Sequence, residues 1–546
     1  MKRSGLTVLS ISLLASVIGS IALTSPVQAN DANMEASSDA VFLPVFNVDS
    51  PEDSPSTLSR ADETALQMHR QRALPVLEES VQMEVDSPAE PVTPNLQLPE
   101  SLDLDAESVE DMEYSAAEMT AIEHYNQGVR EYNRDNYALA VASLNEAITS
   151  DGEYAEAYLF RAAAKLALAD PTAAMADYST AIYVRPDYAL AYFSRGALFY
   201  EMGEVASAMD DFGQAIALDP TYVEAYDFLG LAKATVGAHE EALVDFESAI
   251  SIDPEYELAH MHRGTSLIKL REYESAVIPL SVAIDLYPDY TEAYLNRGVA
   301  YYHVADFSAA LDDFNRAIRL DGENTEAYYN RSYVKASMGR PNEALTDINE
   351  VLTRQPNSVE AYMARGTLYS SQGQHAAAIA DFNRVIELDE YAGEAYHQRA
   401  LSRMASNNIP EAIADYESAI SFSPVDGGVY KGRADAYAIY GDLPSAIADY
   451  SYAINLDNSY SEAYASRGRA FYEAGNPESA YEDFSYIITQ DSAAASADIY
   501  FYRGLALIAM GDGVAAQSDL QAAAERYLAD GEANGYRAVL ESMSQL

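Results

Sequence analysis

The sequence predicts an all-α protein built from about twelve copies of a 34-residue, two-helix unit. Two columns of small residues carry this prediction. The first column holds glycine, alanine or serine every 34 residues: Gly128, Ala162, Gly196, Gly230, Gly264, Gly298, Ser332, Gly366, Ala400, Ala434 and Gly468. The second column, twelve residues further on, is alanine throughout: Ala140, Ala174, Ala208, Ala242, Ala276, Ala310, Ala344, Ala378, Ala412, Ala446 and Ala480. After a two-residue insertion near Ser496 both columns resume. Self-similarity at this fixed period predicts a solenoid of stacked helix pairs.

The pattern inside one unit predicts where its two helices lie. Tyr192, Gly196 and Phe199 fall on one helical stripe. Gly203 is placed to end this first helix, because glycine tolerates the positive φ of a helix C-terminus. A second apolar stripe runs through Ala208, Phe212, Ala215 and Ile216. Pro220 is placed to end the second helix. About 28 of every 34 residues should therefore be helical, and the small residues should let the two helices cross closely.

The first 29 residues have the pattern of a secretory signal peptide. Lys2 and Arg3 precede an uncharged stretch over Leu6–Leu23, and Val27–Ala29 has the small residues of a cleavage site. An uncleaved membrane anchor is the alternative, because the stretch is nearly long enough to span a bilayer. Pro26 and the small-residue ending favour cleavage. We expect an exported protein with no membrane insertion after cleavage, periplasmic or, as the alternative, extracellular.

Residues 30–115 differ in composition from the rest of the chain. They contain 20 acidic residues, three basic residues and eight prolines. No helical or strand period is sustained, which predicts a disordered acidic linker. Two apolar islands, Val41–Phe46 and Ala73–Val81, are candidate partner motifs or ordinary hydrophobic residues of a disordered segment.

The charge of the chain excludes several classes of partner. It carries 86 acidic and 33 basic residues, a formal net charge of −53. Such a surface repels nucleic-acid phosphates and anionic lipid headgroups. The acidity is consistent with adaptation to high salt or with an ordinary acidic surface, and the sequence leaves both open. The chain has no cysteine, which excludes disulfides and thiolate metal sites.

The units resemble tetratricopeptide repeats. The segments Ala191–Gly196 (AYFSRG) and Asp210–Ile216 (DDFGQAI) have the family's order of aromatic, small, aromatic and alanine residues, and a proline follows them at the family's spacing. The resemblance covers residues 116–530, and residues 531–546 are predicted to form a capping helix. It implies an α-solenoid, a right-handed superhelix whose concave groove is lined by the first helices. It also implies a non-catalytic protein-binding role.

An arginine and an aspartate each recur in ten of the twelve units, and the family more often has an apolar residue at the arginine position. The arginine precedes the first small column: Arg161, Arg195, Arg263, Arg297, Arg331, Arg365, Arg399, Arg433, Arg467 and Arg503. The aspartate precedes the second-helix aromatic position: Asp177, Asp211, Asp245, Asp313, Asp347, Asp381, Asp415, Asp449, Asp483 and Asp519. Arginine beside a core stripe requires a carboxylate partner. We interpret the set as a structural ladder, with a ligand-binding ladder as the alternative. Pairing within a unit and pairing between units both remain open.

No motif for catalysis, cofactor binding or metal binding is present. The chain has no phosphate-binding glycine loop, no nucleophile elbow and no EF-hand loop. His260 and His262 are two residues apart, a poor spacing for a metal pair on a helix. We expect His260 to fill a core position and His262 to face the groove. The sequence therefore predicts no enzyme, no cofactor and no metal site.

The predicted function is a protein–protein interaction scaffold. By register with the family, the groove candidates are Tyr132, Phe160, Phe193, Tyr200, Phe228, Tyr302, Tyr329, Tyr472 and Phe501. Glutamates near the first-helix starts add negative charge: Glu156, Glu224, Glu292, Glu326, Glu360, Glu394 and Glu462. Such a groove favours protein partners with apolar anchors and basic character. The alternative is a docking component of an envelope-assembly or secretion machine.

Overall fold

The computed structural model describes residues 116–422, 425–492, 495–544 and 546. The predicted signal peptide and acidic linker lie outside these residues. Within them the chain forms 25 helices and no strand. The described helices fall into two compact parts. Along the sequence, the first part ends at Met338 and the second begins at Gly339.

The first part contains thirteen helices. They are α1 (Ala116–Tyr132), α2 (Tyr137–Ser150), α3 (Ala155–Ala167), α4 (Pro171–Val184), α5 (Ala189–Glu201), α6 (Val205–Leu218), α7 (Val223–Thr235), α8 (His239–Ile252), α9 (Glu257–Lys269), α10 (Tyr273–Leu286), α11 (Thr291–His303), α12 (Phe307–Leu320) and α13 (Thr325–Ser337).

The second part contains twelve helices. They are α14 (Pro341–Arg354), α15 (Val359–Ser371), α16 (His375–Leu388), α17 (Gly393–Ala405), α18 (Ile409–Phe422), α19 (Gly427–Tyr440), α20 (Leu443–Leu456), α21 (Ser461–Glu473), α22 (Pro477–Gln490), α23 (Ala497–Ala509), α24 (Gly513–Ala529) and α25 (Ala533–Met543).

Odd-numbered helices up to α23 are the first helices of repeats, and even-numbered helices are the second. A typical repeat has a first helix of 13 residues and a second of 14, as α5 and α6 do. This makes 27 of 34 residues helical, close to the predicted 28. The all-α repeat fold is confirmed. No helix among the described residues combines the length and apolarity needed to cross a membrane.

The two columns of small residues lie where the helices of one repeat cross. A Cβ atom added to Gly196 of α5 would lie 2.9 Å from a ring carbon of Phe212 on α6. Phe212 and Ala208 are fully buried. The same contact recurs between Gly366 and the buried Phe382. A larger residue in either column would separate the helices, and this explains the strict 34-residue spacing.

Each first helix ends in a turn with one residue of positive φ. Gly203 has φ 76°, as the sequence predicted. In five repeats the same position is not glycine but still has positive φ: Asp135, Ala169, Arg271, Ala305 and Asn407. Alanine and arginine are strained in this conformation. The turn is therefore set by the packing of the two helices and not by glycine alone.

Candidate protein-binding face

The predicted arginine–aspartate ladder pairs residues of the same repeat. Nε and Nη2 of Arg365 donate to the two carboxylate oxygens of Asp381 at 2.8 and 2.7 Å. Seven further repeats have the same two-pronged contact: Arg161–Asp177, Arg195–Asp211, Arg297–Asp313, Arg399–Asp415, Arg433–Asp449, Arg467–Asp483 and Arg503–Asp519. Two parallel charge-assisted hydrogen bonds hold the first helix to the second in one orientation.

The same arginines also reach the preceding repeat. Nη1 of Arg365 donates to Oδ1 of Asn349 on α14 at 2.7 Å, and Nη1 of Arg297 donates to Oγ of Ser281 on α10 at 3.0 Å. Arg365 also lies over the ring of Tyr362, 5.4 Å from its centroid. Seven of these eight arginines, all but Arg433, therefore join three helices of two repeats, which the sequence alone did not decide.

Repeats that lack one partner replace the contact. Asp245 has Leu229 in place of the arginine, and it instead forms an ion pair with Lys233, with Nζ 2.5 Å from Oδ2. Arg263 has Pro279 in place of the aspartate, and it donates to Glu247 at 2.9 Å. The seventh repeat has both residues: Arg331 donates to Asn315 at 2.7 Å, and Asp347 is buried.

The charged groups of the ladder are largely buried. They are therefore suited to holding helices together and poorly suited to binding a ligand. The Asp313 side chain is 6% exposed, and that of Arg297 is 18% exposed. Burial raises the pKa of Asp313, although the adjacent Arg297 opposes this. The geometry favours the structural interpretation of the ladder.

The structure corrects five of the nine predicted groove aromatics. Phe160, Phe193, Phe228, Tyr302 and Tyr329 are buried, at 0 to 6% exposure. Phe193, for example, packs on Phe212, Tyr222 and Phe228 with ring centroids 4.9 to 5.7 Å apart. These side chains lie between helices because a first-helix residue can point towards a neighbouring helix as well as outward. Truncating Phe228 should therefore destabilise the fold, by about 3 kcal/mol or more.

The other four groove candidates are half-buried: Tyr132, Tyr200, Tyr472 and Phe501. The hydroxyl of Tyr200 lies 2.7 Å from Oγ1 of Thr235 on the next first helix. Tyr132 contacts Tyr137 edge-on, with ring centroids 5.4 Å apart. These rings keep part of their surface accessible, so they can still contact a partner.

Successive first helices contact one another within each part, as α5 and α7 do. We call the surface formed by their side chains the first-helix face. Seven first helices carry a glutamate as their second residue, and all seven side chains are half-buried or exposed: Glu156, Glu224, Glu292, Glu326, Glu360, Glu394 and Glu462. A carboxylate in the first turn also interacts favourably with the helix dipole.

A buried carboxylate on this face was not predicted. Asp227 of α7 is fully buried, and its Oδ1 lies 2.8 Å from Nδ1 of His262 on α9. His262 is half-buried and contacts the neighbouring first helix. The same 35-residue offset joins Tyr200 to Thr235, and only the structure shows both contacts.

His260 occupies a core position, as expected. It is 7% exposed, and its Nε2 lies 3.1 Å from the carbonyl oxygen of Pro254. Over the residues that the structure describes, no three histidine or acidic side chains are grouped so that they could hold a metal ion.

Comparison with known proteins places these repeats in a family. Models of the tetratricopeptide repeat family match residues 223–256, 291–324, 329–395 and 397–462. This chain is a tetratricopeptide repeat protein. Repeats of this family generally act as non-catalytic scaffolds for protein–protein interaction, which supports that role here. No curated protein matches the sequence.

Solved structures similar to this tetratricopeptide repeat protein include three of different lengths. YrrB, described as a protein with an unusual peptide-binding site, is 24% identical over 34% of this chain and 97% of its own, with a TM-score of 0.31. A tetratricopeptide repeat protein from Parabacteroides merdae is 21% identical over 44% and 96%, with a TM-score of 0.37. Yeast Tom70 is 16% identical over 78% and 95%, with a TM-score of 0.33.

Proposed function

We propose that the protein is a non-catalytic scaffold that binds extended or helical protein segments of basic character on its first-helix face. The glutamate column is the observation that carries this proposal. Glu224 and Glu292 are accessible at equivalent positions of two first helices, whereas most predicted groove aromatics are in the core. We therefore expect the negative charge of the glutamates to attract a partner first, and the aromatic side chains to contact it once it is bound.

The charge of the chain favours the same kind of partner. Residues 116–546 contain 66 acidic and 28 basic residues. A field of this sign speeds the encounter with a basic segment, and the half-buried rings of Tyr200 and Tyr472 supply apolar contact once it is bound. Added salt should slow association more than it speeds dissociation.

Capture from cell extract tests the proposal. The full chain with a C-terminal tag is compared with two variants of equal charge. Glu224→Gln/Glu292→Gln removes two of the seven glutamate charges from the first-helix face, and Asp210→Asn/Asp312→Asn removes two charges from exposed positions on second helices α6 and α12. We expect basic partners to be lost from the first variant and retained by the second. Equal loss from both, or recovery of uniformly acidic partners, would contradict the proposal.

We also propose that the protein is exported, on the strength of Lys2, Arg3 and the Val27–Ala29 site. Mass spectrometry of the chain purified from its native cells should find Asn30 at the N-terminus. Recovery of several components of one envelope machine in the capture experiment would favour the docking role over binding of separate basic segments.

A further inference from the structure

A cavity opens where two neighbouring first helices, α5 and α7, begin. Its volume is about 370 Å³. Three aromatic residues, two aliphatic residues and two carboxylates line it: Tyr188, Phe193, Tyr222, Ala189, Leu190, Asp219 and Glu224. An aromatic wall beside carboxylates suits a cation with a flat, weakly hydrated surface, because both the ring faces and the charges attract it.

One repeat earlier, the chain fills the corresponding place with its own arginine. The guanidinium of Arg185 lies over the ring of Tyr188, 3.5 Å from the centroid. Its Nη1 donates to Oε1 of Glu156 at 2.6 Å. Arg185 thus stacks on a tyrosine that precedes a first helix and pairs with a glutamate at the start of another.

The next repeat keeps the tyrosine and replaces the arginine. Tyr222 stands 34 residues after Tyr188, Asp219 stands 34 residues after Arg185, and Leu190 stands 34 residues after Glu156, so the glutamate of the preceding repeat is replaced as well. The ring is therefore present beside two carboxylates, those of Asp219 and Glu224, where the preceding repeat has a guanidinium. From this contrast we infer that the cavity takes an arginine side chain of a bound protein segment, a specificity that rests on the proposed scaffold function.

The local charge agrees with a cationic occupant. Burial raises the pKa of Tyr222, and the negative charges of Glu224 and Asp219 raise it further. Arg185, which stacks on Tyr188 at the cavity wall, is paired with Glu156. The field at the cavity is therefore negative, and a guanidinium that enters it meets two carboxylates.

Arginine fits this cavity better than lysine does. A planar guanidinium can stack on Tyr222 and donate from its edge to a carboxylate at the same time, as Arg185 does with Tyr188 and Glu156. An ammonium group is a compact, strongly hydrated charge and loses more hydration on entering an aromatic site. In the following repeat the position of Phe193 is taken by Asp227, which is bound to His262.

Short peptides test the inference on the full chain. The probes are acetyl-Gly-Arg-Gly-amide and the same peptide with lysine or with citrulline, which has the shape of arginine without its charge. Saturation-transfer NMR titrations should show binding of the arginine peptide. We expect the lysine peptide to bind about fivefold more weakly and the citrulline peptide more weakly still. Equal binding of the arginine and citrulline peptides, or binding of none, would overturn the inference.

Four variants locate the site. Glu224→Gln should weaken binding of the arginine peptide by about fivefold. Asp219→Arg should abolish it, because the new side chain would cover Tyr222 as Arg185 covers Tyr188. Two control variants make the same changes elsewhere: Glu292→Gln lies two repeats from Glu224, and Asp321→Arg lies three repeats from Asp219. Each control should alter the affinity for the arginine peptide by less than about twofold, as expected for a distant charge.

The result separates this inference from the scaffold proposal. If each variant and its control weaken peptide binding equally, the peptide responds to the general acidic field and the arginine site is wrong. The capture experiment can still succeed in that case. If capture fails as well, the scaffold proposal is also wrong. Melting curves that match the unmodified chain verify that each variant is folded.

Discussion

Arg365 and Asp381 stand sixteen residues apart and form two parallel hydrogen bonds, Nε to Oδ2 at 2.8 Å and Nη2 to Oδ1 at 2.7 Å. The side chain of Asp381 is 7% exposed, and that of Arg365 is 22% exposed. Removing either charge alone leaves the other beside the core, which is more costly than removing both. The Asp381 hydrogen bonds raise the pKa of Arg365, so the guanidinium remains charged at any pH at which the fold is stable.

The first prediction concerns this pair. Arg365→Ala should destabilise the fold by about 3 kcal/mol, because Asp381 loses its partner. The double variant Arg365→Gln/Asp381→Ser should be more stable than Arg365→Gln alone. It copies Gln127 and Ser143, which hold these two positions in the first repeat. Urea unfolding of the single and double variants measures the coupling energy. Strictly additive effects would show that the two side chains act independently.

The second prediction concerns the turn after the first helix. Gly203 has φ 76°, and a Cβ atom there would meet nothing within 4 Å. Gly203→Ala should therefore cost about 1 kcal/mol for the backbone conformation alone. Ala305 occupies the equivalent turn with φ 63°, and Ala305→Gly should raise the melting temperature. Ala305→Ser retains the strained conformation and is the control. No gain from Ala305→Gly would mean that the turn stores no strain.

The third prediction separates helix crossing from glycine flexibility within one repeat. Gly196→Ala should destabilise the fold by about 1 to 3 kcal/mol, because the new Cβ would lie 2.9 Å from Phe212. Gly213→Ala makes the same chemical change inside α6, where nothing lies within 4 Å. It should stabilise the fold by up to about 1 kcal/mol, because alanine favours helix. Thermal melts of the two variants should shift in opposite directions, and shifts of the same sign would refute the crossing argument.

The fourth prediction concerns pH. Burial and the nearby charge of Arg271 lower the pKa of His303 from 6.5 to about 4. The unfolded chain therefore takes up a proton near pH 6.5, whereas the folded imidazole remains neutral until about pH 4. The contribution to stability is fully present above pH 6.5 and is lost as the pH falls towards 4, by at most about 3 kcal/mol.

His303→Phe tests this dependence and preserves the packing. The His303 ring is stacked on Tyr273 with centroids 4.0 Å apart and planes 9° apart, and phenylalanine can keep that contact. Between pH 7 and pH 5 the variant should lose less stability than the unmodified chain in urea unfolding. An identical pH profile for the two proteins would show that His303 is not the group responsible.

The fifth prediction concerns salt. The chain carries 53 net negative charges, and their repulsion opposes compact structure at low ionic strength. The Debye length falls from about 30 Å at 0.01 M to about 3 Å at 1 M salt. The melting temperature should rise with sodium chloride over this range, and the rise should be smaller for Asp210→Asn/Asp312→Asn. A flat curve would remove the argument for adaptation to high salt.

The sequence by itself determined the repeat, its period and its helices. The 34-residue spacing of Gly196 and Ala208 follows from local requirements, because two helices can cross closely only where small residues meet. The apolar stripes and Gly203 then predicted where each helix lies and ends. The small columns and apolar stripes recur along the whole array and the turn glycine recurs in seven of the twelve units, so these signals are recognisable from the sequence alone.

Only the tertiary structure decided what each first-helix side chain contacts. Phe228 and the glutamate Glu224 lie four residues apart on α7, yet Phe228 is buried and Glu224 remains accessible. Asp227 contacts His262, 35 residues away, and Arg365 donates hydrogen bonds to residues on two different second helices. These outcomes depend on how neighbouring repeats are rotated against one another. That rotation results from the packing of whole helices and cannot be deduced from the sequence of a single 34-residue unit.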